Sequence, residues 1–320
     1  MKPIHPGCVD LASRLAKIVA ATVAGRGCDC ILLSGGVDTG FIAASLALEA
    51  NARPRAYTVL PGPESPDAPH ALEAAERLGL PLRVVRPTRA GWRSAFDLAA
   101  IALETADPVE VAGAAGAALG MAAAASDGCR CIVTGDGGDE LFLGYTFLQG
   151  LPPEKLGEWR RRMASGGAFF SSKPIAGLLG LEACTPLYTP EARRLSLEAP
   201  VDCLLSGGWG KLLLRVYLDL AGLHGLAWRG KTPVTSGSGA LEALEEASLG
   251  SEPLEGWEPS GPHAYLVRRL HASGLLPPPC EGPGRCPVCG RCLEPGGLRC
   301  RFCGAWLGGG RVSVYRGLRG

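Results

Sequence analysis

Leu32-Leu33-Ser34-Gly35-Gly36-Val37-Asp38-Thr39-Gly40 reads as the end of a strand, a glycine turn and the first turn of a helix. Cys30 to Leu33 is a short apolar run of strand type, and Phe41 to Leu48 continues as a good helix former. Gly35 and Gly36 let the backbone approach an anion closely, Ser34 and Thr39 add hydroxyl donors, and the helix N-terminus adds partial positive charge. Asp38 is the discordant member, because a carboxylate beside a phosphate is repulsive unless a divalent cation lies between them. A Walker loop would need Gly-x-x-x-x-Gly-Lys followed by Ser or Thr, and the nearest candidate, Gly207 to Lys211, is followed by Leu212. The stretch therefore predicts a phosphate and a metal meeting at a strand-helix junction.

The 320 residues, 47% of them apolar, suffice for one large core plus a small appendage. A net charge of +1 gives no global signal for nucleic acid or a membrane surface. No uninterrupted apolar run approaches roughly 18 residues, and the start of the chain lacks the basic-then-apolar pattern of a secretion signal, so a cytoplasmic enzyme without membrane attachment is expected. The single Asn (Asn51) and single Gln (Gln149) fit a thermophilic source; six Lys against 26 Arg do not belong to that pattern.

Outward from the glycine turn, four strand candidates alternate with helical stretches: Cys30 to Ser34, Arg55 to Leu60, Leu82 to Arg86 and Arg130 to Thr134. Helical spacing runs from Pro69 to Leu78 and Ala90 to Leu103, and Val109 to Ser126 is an Ala-rich helix. This alternation predicts an α/β fold, a parallel sheet with helices on both faces. Residues 1–150 form the expected nucleotide-binding core with an N-terminal helix. Residues 151–274 read as helices broken by Gly and Pro, 275–285 as a Pro/Gly linker, and 286–320 as a separate small module.

The fourth strand ends in Gly135-Asp136-Gly137-Gly138-Asp139-Glu140-Leu141. Ligands of open parallel sheets sit outside the carboxyl ends of the strands, so this loop is expected to face the first. Asp136 and Asp139 are placed there to hold Mg²⁺ or accept a proton; the alternative is an exposed Asp-Gly turn.

The Ser-Gly-Gly-x-Asp-Thr turn resembles the pyrophosphate loop of the N-type ATP pyrophosphatases, and the two loops together resemble the synthetase domain of the asparagine synthetase family. Leu60 to Asp67, Glu104-Thr105-Ala106-Asp107, Gly180 to Leu187, Gly210-Lys211 with Leu214-Arg215, and Ala227-Trp228-Arg229-Gly230-Lys231 are similar to that family's further motifs, in order, over about Gly25 to Gly250. The resemblance implies an adenine nucleotide α-hydrolase-like, five-stranded parallel sheet with a helical extension. It also implies attack of an acceptor carboxylate on the α-phosphorus of ATP, loss of pyrophosphate, and displacement of AMP by an amine. Ser34, Gly35, Gly36 and Thr39 would cradle the pyrophosphate, with Leu33, Val59 and Gly135 completing the nucleotide site. Asp38 and Asp139 would bind Mg²⁺, Asp136 would assist the amine step, and Lys231 would be the catalytic lysine. Charge accumulating on the departing pyrophosphate is what a metal and an ammonium would stabilise.

Several positions depart from the family. Gly40 lacks a second hydroxyl, Asp136 is shorter than the commoner Glu, Cys184 replaces Arg, and Val109-Glu110-Val111 lacks a basic residue, so the acceptor need not be aspartate. A glutaminase domain ahead of the loop is not expected, and nitrogen would come from free ammonia, another amine or a glutaminase subunit.

Thirteen cysteines are unevenly placed. Cys286-Pro287-Val288-Cys289-Gly290 and Cys300-Arg301-Phe302-Cys303-Gly304 are two knuckles ten residues apart, which suits a tetrahedral Zn²⁺ site of Cys286, Cys289, Cys300 and Cys303, with Cys280 and Cys292 near enough to substitute. From Cys280 onward the net charge is about +5, which suits RNA, a carrier protein or another subunit, or else a plain stabilising ribbon. Cys28 with Cys30 and Cys129 with Cys131 open neighbouring strands and are expected to be buried thiols, with a disulfide as the alternative. Cys184 and Cys203 are expected in the core.

Three functions follow from these residues. The first is an ATP-dependent amide-forming ligase of asparagine synthetase type. The second is an RNA-modifying ATP pyrophosphatase such as a tRNA thiolase, for which Cys184 would be the candidate thiol. The third is a nucleotide-binding protein without an acceptor pocket.

Overall fold

The structure, a computed structural model, describes all residues except 1–5, 63–64, 231–238, 256–259, 283, 295, 309–310, 316 and 318–320. The chain forms two compact units: Met1–Thr58, Pro66–Val85 and Ala123–Lys231 in the first, and Val59–Ser65, Arg86–Ala122 and Thr232–Gly320 in the second.

A five-stranded sheet organises the fold in the order β3-β2-β1-β4-β5. Its strands are β1 (Cys30–Leu32), β2 (Arg55–Val59), β3 (Leu82–Val85), β4 (Cys131–Val133) and β5 (Glu182–Cys184). β1 pairs in parallel with β2 and β4, and β4 with β5; Cys30 lies opposite Arg55 on one side and Ile132 on the other. The strand order reverses between β1 and β4, the topological switch point at which such sheets bind ligands. The fifth strand lies inside the stretch read as helical. Three residues, Glu182-Ala183-Cys184, are too few to show a period, and only pairing with β4 defines them as a strand.

In the first unit α1 (Pro6–Arg26) buries Ala12, Leu15, Ala16, Val19 and Val23 at helical spacing. It packs on α2 (Val37–Glu49), the helix opened by the glycine turn, and both meet α11 (Leu212–Leu220). Phe41 of α2 meets Tyr217 of α11 edge to face at 5.3 Å, and Tyr217 donates to Glu49 at 2.7 Å. α3 (Ala68–Leu78) follows β2, and ends on Gly79 in the left-handed conformation. The later part adds α6 (Gly138–Leu141), α7 (Pro153–Ala164), α8 (Ser172–Leu178), α9 (Pro190–Glu198), α10 (Val201–Leu204) and α12 (His224–Ala227). A two-stranded hairpin, β6 (Leu205–Ser206) and β7 (Trp209–Gly210), turns through Gly207 and Gly208, both at positive φ as a tight hairpin turn requires.

The second unit contains α4 (Arg89–Leu103), capped by the Thr88 hydroxyl, which accepts from Gly91 N–H at 3.0 Å. Helices α13 (Ala240–Ala247) and α14 (Pro262–Ala272) pack on α4, and Arg269 pairs with Asp97. α5 (Pro108–Ser126) is long and apolar enough to span a membrane by length and composition, but half of its apolar window is buried within the protein. Its Ala and Gly side chains suit close helix packing.

The cysteines correct the expectation of buried thiols. Cys28 joins Cys131 and Cys30 joins Cys129, with Cα atoms 4.9 and 6.3 Å apart, so two disulfides clamp the N-terminal ends of β1 and β4. Parallel register places the two Cys-x-Cys pairs side by side, a proximity that linear spacing does not encode. Cys203, expected as a plain core residue, is bonded to Cys8 of α1. Cys280 is bonded to Cys292, which removes both from the set of alternative metal ligands.

Candidate active site at the switch point

Leu33 N–H donates to Tyr57 O at 2.8 Å, which extends the β1–β2 pairing to the start of the turn. Gly35 then takes φ +75°, and a Cβ there would lie 2.5 Å from Asp67 O, so this position admits only glycine. Ser34 Oγ and Thr39 Oγ1 are 3.1 Å apart, and Gly36 N–H donates to Ser34 Oγ at 3.3 Å. These bonds tie the turn to α2, whose N-cap, Gly36, supplies no capping side chain. Ser34 is exposed, so the turn presents hydroxyl and backbone donors at an open helix N-terminus. Gly40, which lacks the expected hydroxyl, packs on Leu226 of α12 so tightly that a Cβ would overlap that side chain.

The loop after β4 meets this turn. A Cβ on Gly135 would stand 3.0 Å from Thr39 Cγ2 and 3.1 Å from Asp38 Cβ, and one on Gly138 would overlap the Asp38 carboxylate. The glycines of the second loop thus allow the two acidic loops to touch. Asp38 and Asp139 come together around one cation: Lys211 Nζ lies 2.5 Å from Asp38 Oδ2 and 3.0 Å from Asp139 Oδ1.

Lys211 is the site residue that the sequence does not single out, since there it is only one member of a motif. The β6–β7 hairpin delivers it: Gly210 presses on the Leu143 carbonyl, Lys211 N–H donates to Phe142 O at 2.8 Å, and Lys211 takes φ +59° at the N-cap of α11. Its side chain is 8% exposed. Burial alone would depress its pKa, but Asp38 and Asp139 together outweigh burial and hold it above the ordinary lysine value. The available signal was a lysine beside glycine in an apolar stretch, Trp209-Gly210-Lys211-Leu212-Leu213-Leu214, where a charge needs a partner.

Arg229 braces the turn from the other side, donating to Gly35 O and pairing with Asp67 Oδ1 at 2.5 Å. Arg215 in turn donates to Ala227 O at 2.6 Å and to Arg229 O at 3.0 Å, and its guanidinium lies over Trp209. Asp136 takes a different set of partners. Its Oδ2 accepts from Thr134 at 2.7 Å and from Ser172 of α8. Burial raises its pKa, while the two hydroxyls and Lys173 pull it back.

The residues expected from sequence are therefore placed as follows. Ser34, Gly35, Gly36, Asp38, Thr39, Gly135 and Asp139 converge. Leu33 is fully buried, so only its backbone borders the turn. Val59 ends β2 and belongs to the second unit. Lys231 lies outside the described residues.

Cys286, Cys289, Cys300 and Cys303 form the second cluster. Their sulfurs all lie within 4.8 Å of one another, with Cys286 to Cys303 at 3.8 Å and Cys289 to Cys300 at 3.6 Å. A tetrahedron of bonds of about 2.3 Å has edges of about 3.8 Å, so the cage fits a zinc-sized ion. Each knuckle closes alike: Gly290 N–H donates to Cys286 O and Gly304 N–H to Cys300 O, both at 2.9 Å, with both glycines at positive φ.

A parallel α/β sheet with a glycine turn and two facing acidic loops at its switch point defines a nucleotide-binding protein of ATP pyrophosphatase type. The asparagine synthase family model matches residues 10–182, more than half of the chain, and the protein belongs to that family. Its members are ligases of this type. A comparison with curated proteins finds no match.

Proposed function

We propose that the protein is an ATP-dependent, AMP-forming carbon-nitrogen ligase that adenylates an acceptor carboxylate and transfers the acyl group to ammonia or an amine, with a glutaminase subunit as one source of nitrogen. The observation that carries this reading is the convergence of Asp38 and Asp139 on one cation beside the open N-terminus of α2. In the reaction, a carboxylate oxygen of the acceptor bonds to the α-phosphorus of ATP as the bond to the bridging oxygen breaks, and pyrophosphate leaves with that electron pair. Ser34, Gly36 and Thr39 donate to the pyrophosphate, and the α2 N-terminus stabilises its growing charge. Two carboxylates already sharing one cation are a fitting donor set for Mg²⁺, which would be held by Asp38 and Asp139 and would neutralise phosphate charge. Lys211 keeps both carboxylates ionised and close together. The amine then attacks the acyl carbon, Asp136 accepts the proton it loses, and AMP departs. Lys231, twenty residues beyond Lys211, is assigned the role of the catalytic lysine, whose ammonium would stabilise the departing pyrophosphate. The four-thiolate cage is assigned Zn²⁺ in a structural role, because four thiolates leave no open position.

The RNA-thiolase alternative needs a reactive thiol near ATP. Cys184 is fully buried at the end of β5, and burial pushes its thiol up to about 11, the reverse of activation. The test is release of pyrophosphate from ATP and Mg²⁺ with a panel of amino acids plus ammonia, against tRNA. Release that depends on an amino acid supports the ligase. Release that depends on tRNA alone overturns it.

A further inference from the structure

The four-thiolate ribbon faces inward, onto the turn between α4 and α5. Three consecutive carbonyls of its second knuckle are used by the rest of the second unit. Thr105 Oγ1 shares its one proton between Arg301 O at 2.8 Å and Phe302 O at 3.0 Å, Ala106 N–H donates to Phe302 O at 2.7 Å, and His263 Nε2 lies 3.1 Å from Cys303 O. A carbonyl can only accept, so the His263 proton sits on Nε2. Arg299 of the ribbon pairs with Asp107, whose side chain is 3% exposed. Asp107 Oδ1 also accepts from Val109 N–H at 3.1 Å, which caps the start of α5. Gly304 is required twice, for φ +75° and because a Cβ there would overlap the Asp107 carboxylate.

These contacts land on Glu104-Thr105-Ala106-Asp107, where Glu104 is itself in the left-handed region at φ +49°. A buried threonine, a backbone amide and a histidine have their partners on the knuckle and a carboxylate has its partner at Arg299 just before it, and losing them would leave polar groups unpaired in the interior. The knuckle's two thiols, in turn, converge with the two of the first knuckle on one point, where a single ion would hold all four. With no disulfide among them, nothing covalent substitutes for that ion.

We propose that the four-thiolate centre is a metal-dependent latch on the turn that opens α5: zinc bound by Cys286, Cys289, Cys300 and Cys303 fixes residues 301–303, and these hold Thr105, Ala106 and Asp107 in place. Two of the ribbon's arginines form ion pairs, Arg299 with Asp107 and Arg301 with Glu294 of the ribbon itself at 2.8 Å. The latch does not depend on the ligase reading, because it concerns the metal and the turn and not the reaction.

The test is hydrogen exchange of residues 104–112 in the full-length protein, followed with metal content. Zinc stripped by a chelator, or lost in Cys300→Ser, is expected to speed exchange at Ala106 and Val109 by at least about tenfold, with recovery when zinc is restored to the stripped wild type. Arg299→Ala leaves all four thiolates in place and is expected to keep one zinc per chain while exchange at Val109 rises. Loss of zinc with unchanged exchange in this segment overturns the latch. So does a wild-type protein that takes up no zinc, or an Arg299→Ala variant whose exchange matches wild type.

Discussion

The two charged centres of this molecule obtain their counter-charge differently. At the switch point, Asp38 and Asp139 share the chain's own cation, Lys211, whereas the four cysteine sulfurs of the ribbon converge on one point, as a metal cage does. The first centre is therefore preorganised by covalent sequence, and the second, on the latch proposed above, depends on an ion from solution. A buried pair whose members are both supplied by the chain persists in the absence of ligand; a ligand cage does not.

Removing the outside ion should have the largest effect. Structural zinc sites bind with apparent free energies of about 10–16 kcal/mol near neutral pH, so chelation should lower the calorimetric melting temperature of the second unit more than any single substitution in the first. Next is the internal cation. Lys211→Met leaves two carboxylates facing each other without their ammonium and should cost about 3–5 kcal/mol in denaturant unfolding, whereas Asp38→Asn with Lys211→Met should recover part of that loss. An additive double mutant would contradict the coupling.

Reduction of the disulfides comes third. Cys28–Cys131 and Cys30–Cys129 span 103 and 99 residues and close nearly the same loop. The first should contribute about 2–4 kcal/mol and the second less, as read from melting with and without reductant. The smallest effect is at Asp136. Its folded pKa is raised, so its contribution to stability is full below the unfolded carboxylate pKa and is lost as pH rises through the folded value. Asp136→Asn should therefore stabilise the fold at neutral pH, read from denaturant unfolding, while abolishing the amine step. Because the base must be ionised, the acid limb of the wild-type rate profile should lie above the range of a free aspartate.

The legible parts of the fold were those with period or turn chemistry. The alternation of strands and helices announced the sheet, and Ser34 to Thr39 announced the site, because only such a turn combines glycines, hydroxyls and an acid at a strand end. The spacing of the knuckle cysteines identified the cage. What escaped were features set by three-dimensional neighbours. β5 is defined by its partner strand, the two Cys-x-Cys pairs by parallel register, and Lys211 by a hairpin that folds a distant lysine onto two loops. Gly40 was read as a lost hydroxyl, yet it is the residue that lets Leu226 pack on α2.

The central claim is that the loops at the switch point activate a carboxylate by adenylation. Incubating the enzyme with ATP, Mg²⁺, ammonia and an accepted acid whose carboxylate carries ¹⁸O tests it most directly. The account predicts one ¹⁸O in the phosphate of the AMP formed, and none formed by Asp38→Ala. AMP whose new oxygen comes from water, or undiminished AMP formation by the variant, would contradict it.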